Sequence, residues 1–142
     1  MRRPSGLLLP FALSVVLALF LAPPIQAEER VKLTGDEIKE ILTTPGNVSF
    51  GVNHLNNTVW IRTALDDGNR HVYWKRLAGP SPPGTPFQAS GEITGTIWIA
   101  DDQACSRSGY PEETCLDIYR IGNDKYENWL GETLHHTWYQ AN

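Results

Sequence analysis

Hydrophobic residues follow three different patterns along this chain, and each pattern predicts a different kind of segment. The first is a nearly continuous apolar run, Leu7–Ala22, which follows Arg2 and Arg3 and leads to a small-residue exit at Ala27. A charged start, an apolar stretch of this length and such an exit are typical of a secretory signal peptide. We therefore predict that residues 1–27 are removed and that residues 28–142 form one mature domain.

The second pattern is helical and begins at Thr34. Thr34 and Glu37 have the spacing of a capping box, in which each side chain binds the backbone N–H of the other residue. Apolar residues then recur at helical spacing, at Ile38, Ile41 and Leu42. Pro45-Gly46 ends the pattern. We predict a helix of about nine residues, which must pack on the rest of the domain because it is too short to be stable alone.

The third pattern fills the chain after Gly46 and predicts β structure. Short runs of β-branched and aromatic residues alternate with turn formers, and Gly91 separates two of the runs. The predicted strands are Val48–Val52, Thr58–Ala64, Arg70–Lys75, Phe87–Ser90, Gly95–Ala100, Cys115–Ile121, Lys125–Trp129 and Thr133–Tyr139. The prediction is a mainly β fold, a small antiparallel barrel of about eight strands with one short N-terminal helix. An open sandwich is the alternative.

The Asp67-Gly68 dipeptide predicts a tight hairpin between the second and third of these strands. Asp-Gly is a preferred sequence for a two-residue type I′ turn. That turn would place Ile61 opposite Trp74 on an inward face. The outward face would then carry two pairs of a cation and a ring, Trp60 with Lys75 and Arg62 with Tyr73.

These four outward residues are the candidate ligand-binding site: Trp60, Arg62, Tyr73 and Lys75. The chain has more large rings than one inward face can bury, so some rings must be exposed or line a cavity. The functional interpretation is a platform or barrel mouth that holds a small apolar or sugar-like ligand, or a partner protein. The alternative interpretation is that the rings only shield their cationic neighbours.

The two cysteines, Cys105 and Cys115, predict one structural disulfide. Both lie in the mature part of an exported chain, where disulfides form and persist. The segment between them, Ser106–Thr114, is rich in turn formers, and the two cysteines lack the close spacing of a redox C-x-x-C pair.

Several of these framework features together resemble an uncharacterised domain family of small exported proteins of alphaproteobacteria. The segments that carry the resemblance are Leu33–Ile38, Asp67-Gly68, Gly95–Trp98, Cys105 and Cys115–Arg120. The resemblance implies a periplasmic setting and no known chemistry. It also suggests a lipocalin-like barrel by analogy, and a fold does not fix a function.

Charge excludes some classes of partner. The full chain has 12 Lys and Arg residues against 16 Asp and Glu residues, and loss of Arg2 and Arg3 with the signal leaves a mature net charge of about −6. This balance argues against nucleic acid as a partner. No second apolar stretch follows Ala27, so we predict no transmembrane span in the mature chain.

Patterns for catalysis and metal binding are weak. His135 and His136 are adjacent, and neighbours in a strand point to opposite faces, so they do not easily share one metal ion. The acidic residues around Asp101-Asp102 lack the spacing of a calcium loop. No nucleophile elbow is present. We predict no catalytic residue, no metal site and no cofactor.

The sequence is therefore interpreted as a periplasmic or secreted, non-enzymatic binding or envelope-associated module. Its partner is an unknown small molecule or envelope protein, and its oligomeric state is left open. One alternative is an inhibitor that presents rigid loops, Gly79–Pro86 or Ser106–Thr114. Another is a small periplasmic hydrolase, which would need convergent polar groups in a cleft.

Overall fold

A computed structural model describes residues 29–77, 90–107 and 113–141 of the chain. The predicted signal peptide and the Gly79–Pro86 loop lie outside these described residues, as does the middle of the Ser106–Thr114 loop.

One helix and nine strands make up the described part of the chain. The helix, α1, spans Gly35–Thr43. The strands are β1 Val31–Lys32, β2 Val48–Asn53, β3 Thr58–Ala64, β4 Asn69–Arg76, β5 Ser90–Ala100, β6 Gln103–Arg107, β7 Thr114–Gly122, β8 Lys125–Leu130 and β9 Thr133–Ala141. A short 3₁₀ turn, Asp66–Gly68, joins β3 to β4.

Eight of the strands close into an antiparallel barrel. Each strand from β2 to β9 pairs with the next strand along the chain, and β9 pairs with β2 to close the ring. The short strand β1 is added to β7, where Val31 lies opposite Arg120. An up-and-down barrel of this kind leaves no free edge among its own strands. The predicted barrel is confirmed, and the open sandwich is wrong.

The helix begins as its sequence predicts. The Thr34 side chain accepts a hydrogen bond from the backbone N–H of Glu37, and the Glu37 carboxylate accepts one from the backbone N–H of Thr34 at 2.9 Å. The backbone N–H of Gly35 also donates to Asp102, in the β5–β6 turn, at 2.5 Å. These contacts fix the start of α1 against one end of the barrel, where it also contacts the 3₁₀ turn.

The apolar core forms where α1 meets the inward side of the barrel. Leu33, Ile38 and Leu42 are buried there. The cluster also contains one inward residue from each of five successive strands, Ile97, Ala104, Ile118, Tyr126 and Trp138. The short helix is therefore stabilised by tertiary packing rather than by its own propensity.

Two strand predictions need correction. The structure has one strand, β5, that runs through Gly91, so this glycine does not interrupt the sheet. The glycine is compatible with the strand because the ring of Trp74, on the neighbouring strand, lies over it. The sequence prediction also missed β6, which holds Cys105, and the short strand β1. Of the predicted strand Phe87–Ser90, only Ser90 is described, and it belongs to β5; residues 87–89 lie outside the described residues. The barrel has eight strands as predicted because β6, which was missed, takes the place of this predicted strand.

The register of the β3–β4 hairpin also differs from the prediction. Ile61 lies opposite Tyr73, one residue away from the predicted Trp74. The physical reason is the turn: the 3₁₀ turn and a bond from the Leu65 backbone N–H to the Asn69 carbonyl, 2.8 Å, replace the two-residue type I′ turn. A shift of one residue exchanges the two faces of a strand.

Candidate functional site

The inward residues of the barrel form two differently packed regions. The first, here called the packed half, is the buried cluster that α1 makes with the inward residues of β6–β9 and Ile97. The second, here called the open half, consists of the half-buried inward residues of β3, β4 and the first part of β5. They are Trp60, Arg70, Val72, Trp74 and Ile93, and Trp60 also packs against the first region. A closed barrel therefore keeps partly accessible side chains on the inward side of three neighbouring strands.

Two glycines provide space for the large rings of this interior. A Cβ atom on Gly91 would lie 2.8 Å from the ring of Trp74, and one on Gly51 would lie 2.5 Å from the Cβ of Trp138. Real Cβ atoms do not come this close to other atoms. The rings of the open and packed halves thus depend on glycines in the neighbouring strands.

Arg62 lies at the border between the two halves and is 5 % exposed. Its Nη2 donates to the hydroxyl of Ser49, on the adjacent strand, at 2.5 Å. The centre of its guanidinium lies 5.1 Å from the ring of Trp138 and 5.7 Å from the ring of Trp60. No carboxylate within the described residues forms an ion pair with it. This is a buried cation held by one hydroxyl and two aromatic faces.

Burial and a second cation both act on this charge. Loss of hydration, and secondly the repulsion from Arg70, lower the pKa of Arg62 to about 9. Burial also lowers the pKa of Arg70. Arg62 still carries its proton at neutral pH. The barrel interior therefore holds positive charge.

His136 lies on the inward side of β9, and its ring meets the ring of Trp60 edge-on at 5.8 Å. Loss of hydration is the main reason that its pKa falls to about 3, and the neighbouring His135, Arg70 and Arg62 lower it further. His136 is therefore neutral at physiological pH. Arg62 and Arg70 are already positively charged, so a further positive charge on His136 is unfavourable.

Three further polar atoms of the interior are buried without a hydrogen-bond partner among the described residues. They are Nε1 of Trp60, Nδ1 of His136 and Oε1 of Gln140. By contrast, Nε1 of Trp138, in the packed half, donates to Asn128 at 2.6 Å. A buried polar group left unpaired costs roughly 1–3 kcal/mol, so such groups usually bind ordered water or a ligand.

The structure divides the predicted four-residue site between the two sides of the barrel wall. Trp60 and Arg62 face inward, and Tyr73 and Lys75 face outward. The predicted pairs of Trp60 with Lys75 and of Arg62 with Tyr73 are wrong, because Trp60 lies opposite Trp74 and Arg62 lies opposite Val72. These four residues are not one platform.

The outward side carries an exposed apolar surface instead. Four residues that lie opposite one another on β4, β3, β2 and β9 form this outer patch: Tyr73, Ile61, Phe50 and Tyr139. Ile61 is 52 % exposed and Phe50 is 46 % exposed. The rings of Phe50 and Tyr139 stack at 5.6 Å. Exposed apolar residues that adjoin one another often mark interaction surfaces.

The predicted cysteine pair is confirmed. Cys105 and Cys115 lie directly opposite each other in β6 and β7, their Cα atoms are 3.9 Å apart, and their sulfur atoms are at bonding distance. The bridge therefore joins two neighbouring strands of the barrel, and α1 contacts one of them, β6.

Two surface grooves have linings that do not include Arg62. One open groove, of about 570 Å³, is lined by Gly46, Asn47, Val48, Gln140 and Ala141. A second, of about 540 Å³, lies on the outward side of β5 and is bordered by Arg107 and Glu113, which pair with each other. In the described ranges, no three His, Cys, Asp or Glu side chains gather as metal ligands would. None of the described helices is long and apolar enough to cross a membrane.

The chain matches no family model, no curated protein and no solved structure.

Proposed function

We propose that this protein is an exported, non-enzymatic binding module that holds a small molecule in the open half of its barrel. The observation that carries the proposal is that Trp60, Val72 and Trp74 face inward in a closed barrel and yet remain partly accessible. Ligand sites of this kind combine apolar and aromatic walls with a few polar groups. The open half has both, since Nε1 of Trp60 is a buried donor that has no partner among the described residues.

Export is supported by two independent features. The first is the signal pattern of residues 1–27, together with the resemblance to an exported family. The second is the bond between Cys105 and Cys115, because disulfides persist mainly outside the reducing cytoplasm. We expect mass spectrometry of the protein from its native host to find a mature N-terminus at or near Glu28. An intact Met1 chain in the cytoplasm would contradict export.

The binding proposal is tested with N-phenyl-1-naphthylamine, an uncharged apolar fluorophore. The mature, disulfide-bonded protein should bind it saturably at a ratio of one to one. Val72→Phe adds a ring to the open half and should weaken binding by roughly tenfold. Thr63→Phe adds the same ring on the outward side of β3, and it should leave binding unchanged. Absence of saturable binding, or an equal loss in both variants, would contradict the proposal.

The outer patch favours a second candidate function, binding of an envelope protein. Phe50 and Ile61 are exposed at its centre, and aromatic residues of such surfaces often dominate binding. This surface includes Tyr73, one of the residues first assigned to the ligand site. Ile61→Asn should abolish capture of the partner and leave the fluorophore titration unchanged. If the Ile61→Asn variant still binds the partner, the outer patch is not the binding surface.

A further inference from the structure

We infer that the molecule held in the open half is an amphipathic organic acid, with its carboxylate at Arg62 and its apolar body along Trp60, Val72 and Trp74. The inference rests on the proposed function, and it names the chemical class of the ligand. Three observations support it, and they concern the charge of Arg62, the hydrogen-bond donors near it and the walls of the open half.

The charge of Arg62 is not balanced by any carboxylate of the described residues. Arg62 is 5 % exposed, and none of the ion pairs of the described residues includes it. Arg70 is close enough to oppose its charge, and no acidic group of the described residues acts on Arg62. A buried cation without a counter-ion is unfavourable, and a bound anion would remove that penalty.

The hydrogen-bonding groups near Arg62 are suited to an acceptor. The guanidinium has five N–H donors in a planar fork, and the structure gives it one side-chain acceptor, the hydroxyl of Ser49. Nε1 of Trp60 adds a buried donor. A carboxylate has only acceptors, and its two oxygens match the guanidinium fork. A neutral polar ligand would satisfy these donors without balancing the charge.

The walls of the open half suit an apolar body. Val72 and Trp74 follow Arg70 along the inward side of β4, and Ile93 lies opposite Val72 on β5. Gly91 lets the Trp74 ring lie flat along the wall, because any side chain there would collide with it. These residues would contact carbon atoms. An inorganic anion alone would make no contact with these partly accessible side chains.

The alternative explanation is that Arg62 only stabilises the barrel and binds no ligand. Its guanidinium lies near two rings, and contacts between cations and rings stabilise many folds. This alternative predicts that loss of Arg62 changes stability and that no ligand discriminates between the wild type and the variant. The two explanations therefore differ in what they predict for binding.

The test compares two pairs of probes that differ only in the head group. Dodecanoate is compared with dodecan-1-ol, and 3-phenylpropionate with 3-phenylpropan-1-ol, by calorimetry on the mature, disulfide-bonded protein. We expect at least one acid to bind about tenfold or more tightly than its alcohol. Arg62→Met should abolish this preference, because it should weaken binding of the acid far more than binding of the alcohol. Arg62→Lys keeps the charge without the planar fork and should restore only part of the preference.

Lys75→Met is the matched control, because it removes one positive charge from the outward side of the same hairpin. It should leave the preference for the acid intact. Equal affinities for acid and alcohol in the wild type, or equal losses in the Arg62 and Lys75 variants, would overturn the inference. If the apolar fluorophore binds and neither acid is preferred, the ligand class is wrong and the binding function stands. If neither the fluorophore nor any of the four probes binds, the binding function itself is wrong.

Discussion

The two halves of the barrel interior are built from the same alternating strands and have opposite character. In the packed half, Ile38 of the helix meets Ile118 and Trp138, and none of the three is accessible to solvent. In the open half, Val72 and Trp74 remain half-buried although they too face inward. The difference is what covers them, because α1 is short and its apolar stripe reaches only part of the interior.

This difference suggests that one half of the barrel interior provides stability and the other half binds the ligand. The packed half joins the helix to five strands, and Nε1 of its Trp138 is hydrogen-bonded to Asn128. The open half has an unpaired donor, Nε1 of Trp60, and the buried cation Arg62 lies at its border. Both features lower stability. Such features are common at sites where residues are selected for binding rather than for stability. We therefore expect stability to depend on the first region and ligand affinity on the second.

The largest expected difference comes from matched tryptophan substitutions. Trp138→Ala would leave a large cavity in the packed half and should cost about 3–5 kcal/mol of unfolding free energy. Trp74→Ala removes the same side chain from the open half and should cost less than about 2 kcal/mol, because that ring is already partly accessible. Urea denaturation measures both. Equal losses would mean that the two halves are packed alike.

Acid should destabilise the protein through the interior of the barrel. The pKa of His136 is about 3 in the folded protein, whereas 6.5 is its ordinary value, so the unfolded chain binds the proton first as the pH falls. Stability is therefore complete above about pH 6.5. From the pKa difference, we expect a loss of about 3 kcal/mol between pH 7 and pH 4.

His136→Phe keeps a ring at this position and removes the titration. It should flatten the dependence of stability on pH in that range. A smaller slope should remain, because burial lowers the pKa of His135 and hydrogen bonds from Thr34 lower that of Glu37. Each group loses its contribution as the pH falls from its ordinary pKa towards its lowered pKa. Parallel curves for wild type and variant would show that His136 is not responsible.

The disulfide should contribute somewhat less. It closes a loop between residues ten positions apart, which is worth roughly 2.5–3 kcal/mol when the constraint acts on the unfolded chain. Cys105→Ser should lower stability by this amount and leave binding of the apolar fluorophore unchanged, since the bridge joins β6 and β7, away from the open half. A variant that folds as stably as the wild type, or free thiols in the exported protein, would disprove this role.

Loss of the buried cation should have the smallest effect on folding. Arg62→Met removes a charge that no carboxylate among the described residues balances, and it keeps much of the side-chain volume. Replacing such a group with an apolar one is often neutral or stabilising, so we expect a change within about 1 kcal/mol. A loss of several kcal/mol would mean that Arg62 belongs energetically to the packed half.

Local signals in the sequence were sufficient for the helix and most strands. Thr34 and Glu37 are three residues apart, and their interaction needs nothing beyond that turn, so the capping box could be predicted and is found. Strand β3 also has the predicted bounds, Thr58–Ala64. The missed strand β6 contains Ala, Ser and Gln rather than β-branched residues, and it is a strand because β5 and β7 lie on both sides of it.

The candidate site could not be predicted because it depends on register. Asp67-Gly68 suggested a tighter turn than the 3₁₀ turn that forms, and the resulting shift of one residue placed Arg62 on the wrong side. Hydrophobicity could not correct this error, since exposed Ile61 is more apolar than buried Arg62. The one available signal was that Arg62 shares its face of β3 with two small residues, Thr58 and Ala64, and with one large ring, Trp60.

The most direct test of the account is a crystal structure of the mature protein purified from its native host. The account predicts non-protein electron density between Trp60, Val72 and Trp74, with an acidic end within hydrogen-bonding distance of the Arg62 guanidinium. It also predicts that the packed half contains no such density. An interior filled only by side chains and ordered water, with Arg62 and Nε1 of Trp60 paired to those groups, would contradict the central claim.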